Sequence, residues 1–196
     1  MVEVAIGADL CAVQEAADFM KEVPNEHPWL GTSCCPAWSV MAKKTYPEYA
    51  DCISMALTPM VLTGRMTKKQ HPDCKVVFIG PCAAKKLEAS RKSVRSDIDF
   101  VLTFEEMMGI FDAKNIEFDK LEVEEPLNTS SSLGKGFAAS GGVAAAVVNA
   151  INCLEPEREV KTVKAEGLKE CKTMLAKAKA GMYDGYLLEG MACPGG

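Results

Sequence analysis

The sequence contains no run of about 18 apolar residues, so it offers no helix able to span a membrane. Its opening, MVEVAIGADL, lacks a basic stretch followed by a long apolar one; no secretory leader is expected, and the expected compartment is the cytoplasm. Histidine is scarce. His27 and His71 both lie in proline-containing loops, which leaves little for an α/β thiol enzyme that needs a histidine beside its cysteine. No basic stripe exists: 22 lysines and arginines face 27 acidic residues, giving a net charge of −5, so nucleic acid is not expected as a partner. The densest basic stretch, residues 85–95, also holds Glu88 and is expected to be a solvated helix face. Internal repeats and low-complexity tracts are absent, and so is any CxxC pair, which removes zinc ribbons and ferredoxin-type runs.

Cysteine itself is plentiful. There are nine in 196 residues, an odd number, in a chain whose expected reducing compartment disfavours disulfides. The remaining composition, 48% hydrophobic and 25% charged, is ordinary for an α/β protein with a substantial core.

Periodicity orders the elements. Residues 2–6 alternate like a strand, and 12–23 place Val13, Ala16, Ala17, Met20 and Val23 on one helical face. Proline then opens a loop carrying TSCCPAW at 32–38, followed by helices at 38–46 and 60–69. KVVFI at 75–79 suits a buried parallel strand, and 98–102 is a second strand. Thr103 and Glu106 form a capping box for a helix at 104–113. After an acidic, then Ser- and Gly-rich linker at 124–135 come a helix from 140 to 152, a strand at 160–165, a helix with Leu168, Cys171, Leu175 and Ala178 on one face, and a strand at 186–191. Strand–helix–strand at this spacing implies a parallel pair. The fold class is therefore α/β, two lobes at 1–123 and 136–196 with mostly parallel sheets flanked by helices.

Functional groups in such sheets gather beyond the carboxyl ends of the strands. Cys82 follows KVVFIGP and Cys193 follows YLLEGMA, while Cys34 and Cys35 sit in a separate loop. Three loops each offering a thiolate could share an iron–sulfur cluster, which normally takes four. Free cysteines are also common small buried hydrophobes, the expectation for Cys11, Cys52, Cys74, Cys153 and Cys171. For Cys35, Cys82 and Cys193, spacing alone leaves both readings open.

Taken as strings, TSCCPAW at 32–38, GPCAAKKLEA at 80–89 and EGMACPGG at 189–196 resemble, in order, the three signature motifs of the iron-only hydrogenase large subunit. The resemblance extends through ADLCAVQEAADF at 8–19, SDIDFVLTFEE at 96–106 and FAASGGV at 137–143, and covers the middle of that family's catalytic domain. It implies an H-cluster in the parent protein: a 4Fe-4S cubane joined through a cysteine to a diiron subcluster, which makes or splits dihydrogen. Cys35, Cys82 and Cys193 match three cubane ligands. The bridging fourth is expected just beyond Gly196, so the piece itself is expected to hold an incomplete cluster and to be inactive. Cys34 matches a proton-passing thiol, Lys85 a lysine that hydrogen-bonds iron-bound cyanide, and Glu15, Asp18 and Ser54 a proton route in which Asp18 replaces a longer glutamate. Met191, with Thr58 and Pro59, matches residues beside the diiron site. The implied partners are protons, dihydrogen and a ferredoxin-like electron carrier or further iron–sulfur domains, in an anaerobic hydrogen metabolism.

Leu57 and Met60 stand where catalytic members often have polar side chains, and Gly80 where methionine is common; slower turnover or a hydrogen-sensing role is the expectation from these departures. A non-catalytic relative in iron–sulfur assembly or in binding nuclear proteins is the other class, and retention of Cys34 and Lys85 speaks against it.

Overall fold

Small residues recur along the first helix at the spacing of one face, and that face decides its packing. In the computed structural model, which describes residues 1–122 and 127–196, α1 (Ala5–Glu22) buries Ala8, Cys11, Ala12, Glu15, Ala16 and Phe19. The strand expected at 2–6 is absent, because Ala5 and Ala8 continue this stripe against two later helices, α6 (Ser132–Gly136) and α7 (Gly142–Leu154). A short β-like alternation loses to tertiary packing. The approach is close: a Cβ on Gly134 would stand 2.6 Å from the Ala5 carbonyl oxygen. The expected face of Val13, Ala16, Ala17, Met20 and Val23 is corrected in the same way, since Val13 and Ala17 point to solvent. At its carboxyl end, α1 is capped by Arg158. The guanidinium donates to the carbonyls of Met20 (3.0 Å) and Val23 (2.6 Å) and lies over the Phe19 ring.

The described residues form two compact units, 1–3 with 60–129 and 4–59 with 130–196. The expected lobes of 1–123 and 136–196 therefore regroup. One crossing lies near the expected linker, of which 124–126 fall outside the described residues and 132–136 fold as α6. The other two, at 3 and 4 and at 59 and 60, have no sequence signal; the one at 59 and 60 exists because an early strand pairs with a late one.

That pairing builds the larger unit. Its sheet has the order β1 (Leu30–Gly31), β5 (Tyr186–Met191), β4 (Lys161–Glu166), all parallel, with Gly31 opposite Leu188 and Val163 opposite the same residue from the other side. The central strand is buried from Leu187 to Met191, as a parallel strand covered on both faces should be. α8 (Leu168–Lys179) joins β4 to β5 and buries Cys171, Met174, Leu175 and Ala178; α2 (Pro36–Thr45) brings Trp38 into the same core with Trp29 and Ile53. Leu168, expected on the buried face, is 42% exposed at the helix start.

The smaller unit contains α3 (Pro59–Gln70) beyond its first residue, β2 (Val77–Ile79), α4 (Ala84–Ala89), β3 (Phe100–Leu102) and α5 (Phe104–Ala113). β2 and β3 are parallel, with Phe78 opposite Val101. The capping box forms as expected, Thr103 and Glu106 exchanging hydrogen bonds at the α5 start. The burial expected for β2 does not hold, since Val77 and Ile79 are 45% and 46% exposed within a two-stranded sheet. No described helix is long and apolar enough to cross a membrane.

Gly190 marks a close approach in the larger core. A Cβ there would fall 2.2 Å from the Trp38 indole, whose Nε1–H is tied to the Thr32 carbonyl at 3.0 Å. Gly190→Ala should lower unfolding stability by roughly 1–3 kcal/mol through overpacking. Denaturant unfolding of the purified chain measures it, and a midpoint equal to that of the unaltered chain would contradict the packing described.

Candidate functional site

Two carboxyls lie in the core of the larger unit, Glu189 on β5 and Glu15 on α1. Glu15 is fully buried on the inner face of α1, and its Oε1 accepts both the backbone N–H of Ser33 (2.8 Å) and the Ser33 hydroxyl (3.0 Å). Oε2 has no hydrogen-bond partner among the described residues, and the Ser54 hydroxyl lies close enough to the carboxyl to favour its charged form. Burial raises this carboxyl to about 7; the two Ser33 donors, and more weakly Ser54, oppose the rise, and the Asp18 charge adds to it. Ser54 is itself anchored, its hydroxyl accepting the Ala56 N–H at 3.1 Å.

Asp18, three residues further along the helix, is half-buried and accepts from Gln14 at 2.8 Å, so the two acids of the expected route occupy different environments. Ser33 is the residue sequence reasoning missed. It precedes the cysteine pair in TSCCPAW, and a serine there was the only available signal.

Cys34 follows Ser33 and is buried. Cys35 is the residue before the first turn of α2, and its sulfur accepts the Ala192 N–H at 3.4 Å. The loops 32–38 and 189–194 are thus brought together. Cys35 stands where a helix amino terminus and an amide donor complement negative charge on sulfur. Cys193 is exposed one residue past Ala192. Met191, at the end of β5, is buried, as is Thr58, whereas Pro59 is half-buried. Beneath them Cys171 donates to the carbonyls of Ala165 and Met191, both at 3.6 Å, and burial, with the neighbouring Cys35, pushes it up to about 11. Cys52 is likewise pushed up to about 11, chiefly by burial. Cys11, Cys52 and Cys171 are buried thiols as expected. Cys153 is exposed and Cys74 half-buried, so those two depart from that expectation.

Cys82 and Lys85 belong to the smaller unit. Cys82 lies three residues beyond β2 and is half-buried, and its carbonyl accepts the Lys85 N–H at 3.3 Å. Lys85 is not on a solvated face: it is buried at 8% exposure, and its Nζ contacts the buried Glu88 at 2.7 Å. Gly80 has a local cause, because the Phe78 ring comes within 2.7 Å of where a Cβ would stand and fills that space.

Among the described residues no three His, Cys, Asp or Glu side chains surround a single-ion position. The cysteine loops offer sulfur, a soft donor suited to iron–sulfur chemistry, and the Cys35 sulfur already accepts an amide N–H.

Residues 1–196 match the family described as iron only hydrogenase large subunit, C-terminal domain. The chain belongs to this family. The hydrogenase-family chain is 31% identical to iron hydrogenase 1 of Clostridium pasteurianum, over 82% of its own length and 31% of that protein. It is 27% identical to the periplasmic Fe hydrogenase large subunit of Nitratidesulfovibrio vulgaris, over 96% and 55%. A cytosolic Fe-S cluster assembly factor of Kluyveromyces lactis is 29% identical over 76% and 34%. The chain thus spans about a third to a half of the length of these curated relatives. An FeFe-hydrogenase structure from Chlamydomonas reinhardtii superposes with a TM-score of 0.77 at 21% identity, over 97% of this chain and 66% of that one, and has the same fold.

Glu15 should make stability pH-dependent. Between about 4.5 and about 7 the unfolded carboxyl ionises while the buried one keeps its proton, so stability falls as pH rises through that window. The loss is on the order of 3 kcal/mol by pH 8. Glu15→Gln should flatten that part of the profile, as read by urea midpoints at pH 4.5 and 8; an unchanged slope would mean that Glu15 ionises normally.

Proposed function

We propose that the full-length protein holds an iron–sulfur centre at its signature cysteines and passes protons to it through Glu15 and Cys34 in reversible hydrogen chemistry. The observation that supports this most is the buried Glu15 carboxyl, bound to Ser33, the residue immediately before Cys34. A protein that only stores or transfers a cluster gains nothing from a buried acid that titrates near neutrality, and bears the cost of desolvating it.

In this proposal Cys35, Cys82 and Cys193 are the thiolate ligands of the 4Fe-4S part. When bound, that cubane and its diiron partner would relay electrons and supply the metal at which protons and dihydrogen interconvert. Lys85, whose Nζ contacts Glu88, would donate to a cyanide ligand of the diiron group. Met191, Thr58 and Pro59 would shield that group from water. Cys34 delivers and recovers protons as a thiol, and Glu15 reloads it. Oε1 stays locked to Ser33 while Oε2 has no partner among the described residues, so the acid can change charge without changing place. Ser54 lies against the same carboxyl, and Asp18, nearer solvent on the same helix, takes protons up. Electrons would come from a ferredoxin-like carrier or further iron–sulfur domains, in the cytoplasm.

The test is Glu15→Gln in the full-length protein matured with its cluster. Glutamine keeps the shape and an acceptor for Ser33 but cannot ionise. Hydrogen turnover should fall about a hundredfold or more, the scale of a lost proton-transfer group, with iron content unchanged. Turnover equal to that of the native protein would remove Glu15 from the route. A native protein that holds iron yet neither evolves hydrogen nor exchanges it with deuterated water would support the assembly-factor reading, which the resemblance to the Kluyveromyces lactis protein favours.

A further inference from the structure

The turn that carries Cys193 is held from outside the cysteine motif. After β5 the chain turns through residues 192–196, with Gly195 at φ +86°. The Gly195 N–H donates to Glu166 Oε2 at 2.8 Å, and the Gly195 carbonyl accepts the Ser140 N–H at 3.0 Å. The Ser140 carbonyl in turn accepts Lys164 Nζ at 3.3 Å. Lys164 and Glu166 lie two apart on β4 and so project from one face of that strand. Between them they hold both sides of the contact joining loop 138–141 to the Cys193 turn. The contact has no slack: a Cβ on Gly196 would fall 2.1 Å from the Ala138 carbonyl oxygen. From the strand side, Gly167 N–H donates to the Met191 carbonyl at 2.8 Å.

A short exposed turn with a left-handed glycine has many conformations open to it, and fixing one costs entropy. If that cost is met before metal arrives, ligand capture is faster and tighter. We propose that Glu166 is a positioning residue: by gripping Gly195, with Lys164 and Ser140, it holds Cys193 in its ligating conformation before any cluster binds. This rests on Cys193 being a cluster ligand. At Gly195 the motif contributes only backbone, so the side chain that grips it lies 27 positions upstream of the cysteine, on a neighbouring strand.

The experiment uses the full-length protein expressed without maturation factors, in native, Glu166→Ala and Glu166→Gln forms. Glu166 is exposed, so neither change threatens folding. Amide hydrogen exchange in the peptide covering 192–196 is followed without metal, and 4Fe-4S loading is then followed by iron and sulfide content and by the visible spectrum on reconstitution. With alanine, exchange at Gly195 should rise roughly three- to tenfold, the effect of one lost hydrogen bond, and loading should slow by a similar factor. Glutamine retains an acceptor oxygen and should restore most of both. Native-like exchange in the alanine variant overturns the proposal, as does raised exchange with unchanged loading. Should the native protein itself take up no cluster, the ligand assignment fails, while the exchange comparison still decides whether Glu166 holds the turn.

Discussion

Parallel pairing between β1 and β5 is the constraint from which the larger unit follows. Strands that run the same way end at the same edge, so the segments leaving them emerge side by side. With Gly31 opposite Leu188, Thr32 and its following cysteines leave β1 beside the place where Met191, Ala192 and Cys193 leave β5. The hydrogen bond from Ala192 to the Cys35 sulfur is the direct result. Trp38 seals the arrangement, lying against Gly190 where no side chain would fit.

Two buried carboxylates in this unit show how the same group is made structural or titratable. Glu189, on β5, accepts the N–H groups of Gly141 (2.6 Å) and Ala144 (2.7 Å) at the amino end of α7, one per oxygen. Burial still raises its pKa, but those donors, with Lys164, oppose the rise, and the helix amino terminus favours its charge. Glu189 serves as a strut tying the central strand to α7. Glu15 has donors on one oxygen only and no cation against it, and it rises to neutrality. Burial is the largest cause of the rise in both, and the two also differ in how donors are shared between their oxygens.

The thiols follow a similar division. Cys171 donates its proton to two carbonyls at the foot of the Met191 turn, which makes it a support for the loop rather than a ligand. Cys35, at a helix start with an amide aimed at its sulfur, receives a hydrogen bond instead of giving one.

Local chemistry was legible in the sequence wherever neighbours in the chain sufficed. The Thr103–Glu106 cap, the Ala/Val helix after SGGV and the strand at 186–191 depend on contacts within a few residues, and each forms where its pattern stands. The three cysteine loops and the family were legible as strings. What depended on distant partners was not. Residues 2–6 looked extended until helices more than 120 residues later covered Ala5 and Ala8. Lys85 looked solvated until Glu88 and the fold enclosed it. Glu15 was an ordinary helical acid in the sequence, indistinguishable by spacing from Asp18; Ser33 and the surrounding core made one of them a buried, near-neutral acid and left the other half in water. Sequence alone determined which side chains were available, because composition and short-range periodicity need no partner. Tertiary structure decided which of them were desolvated and by what they were held, because dielectric and hydrogen-bond supply are properties of the surroundings and not of the residue.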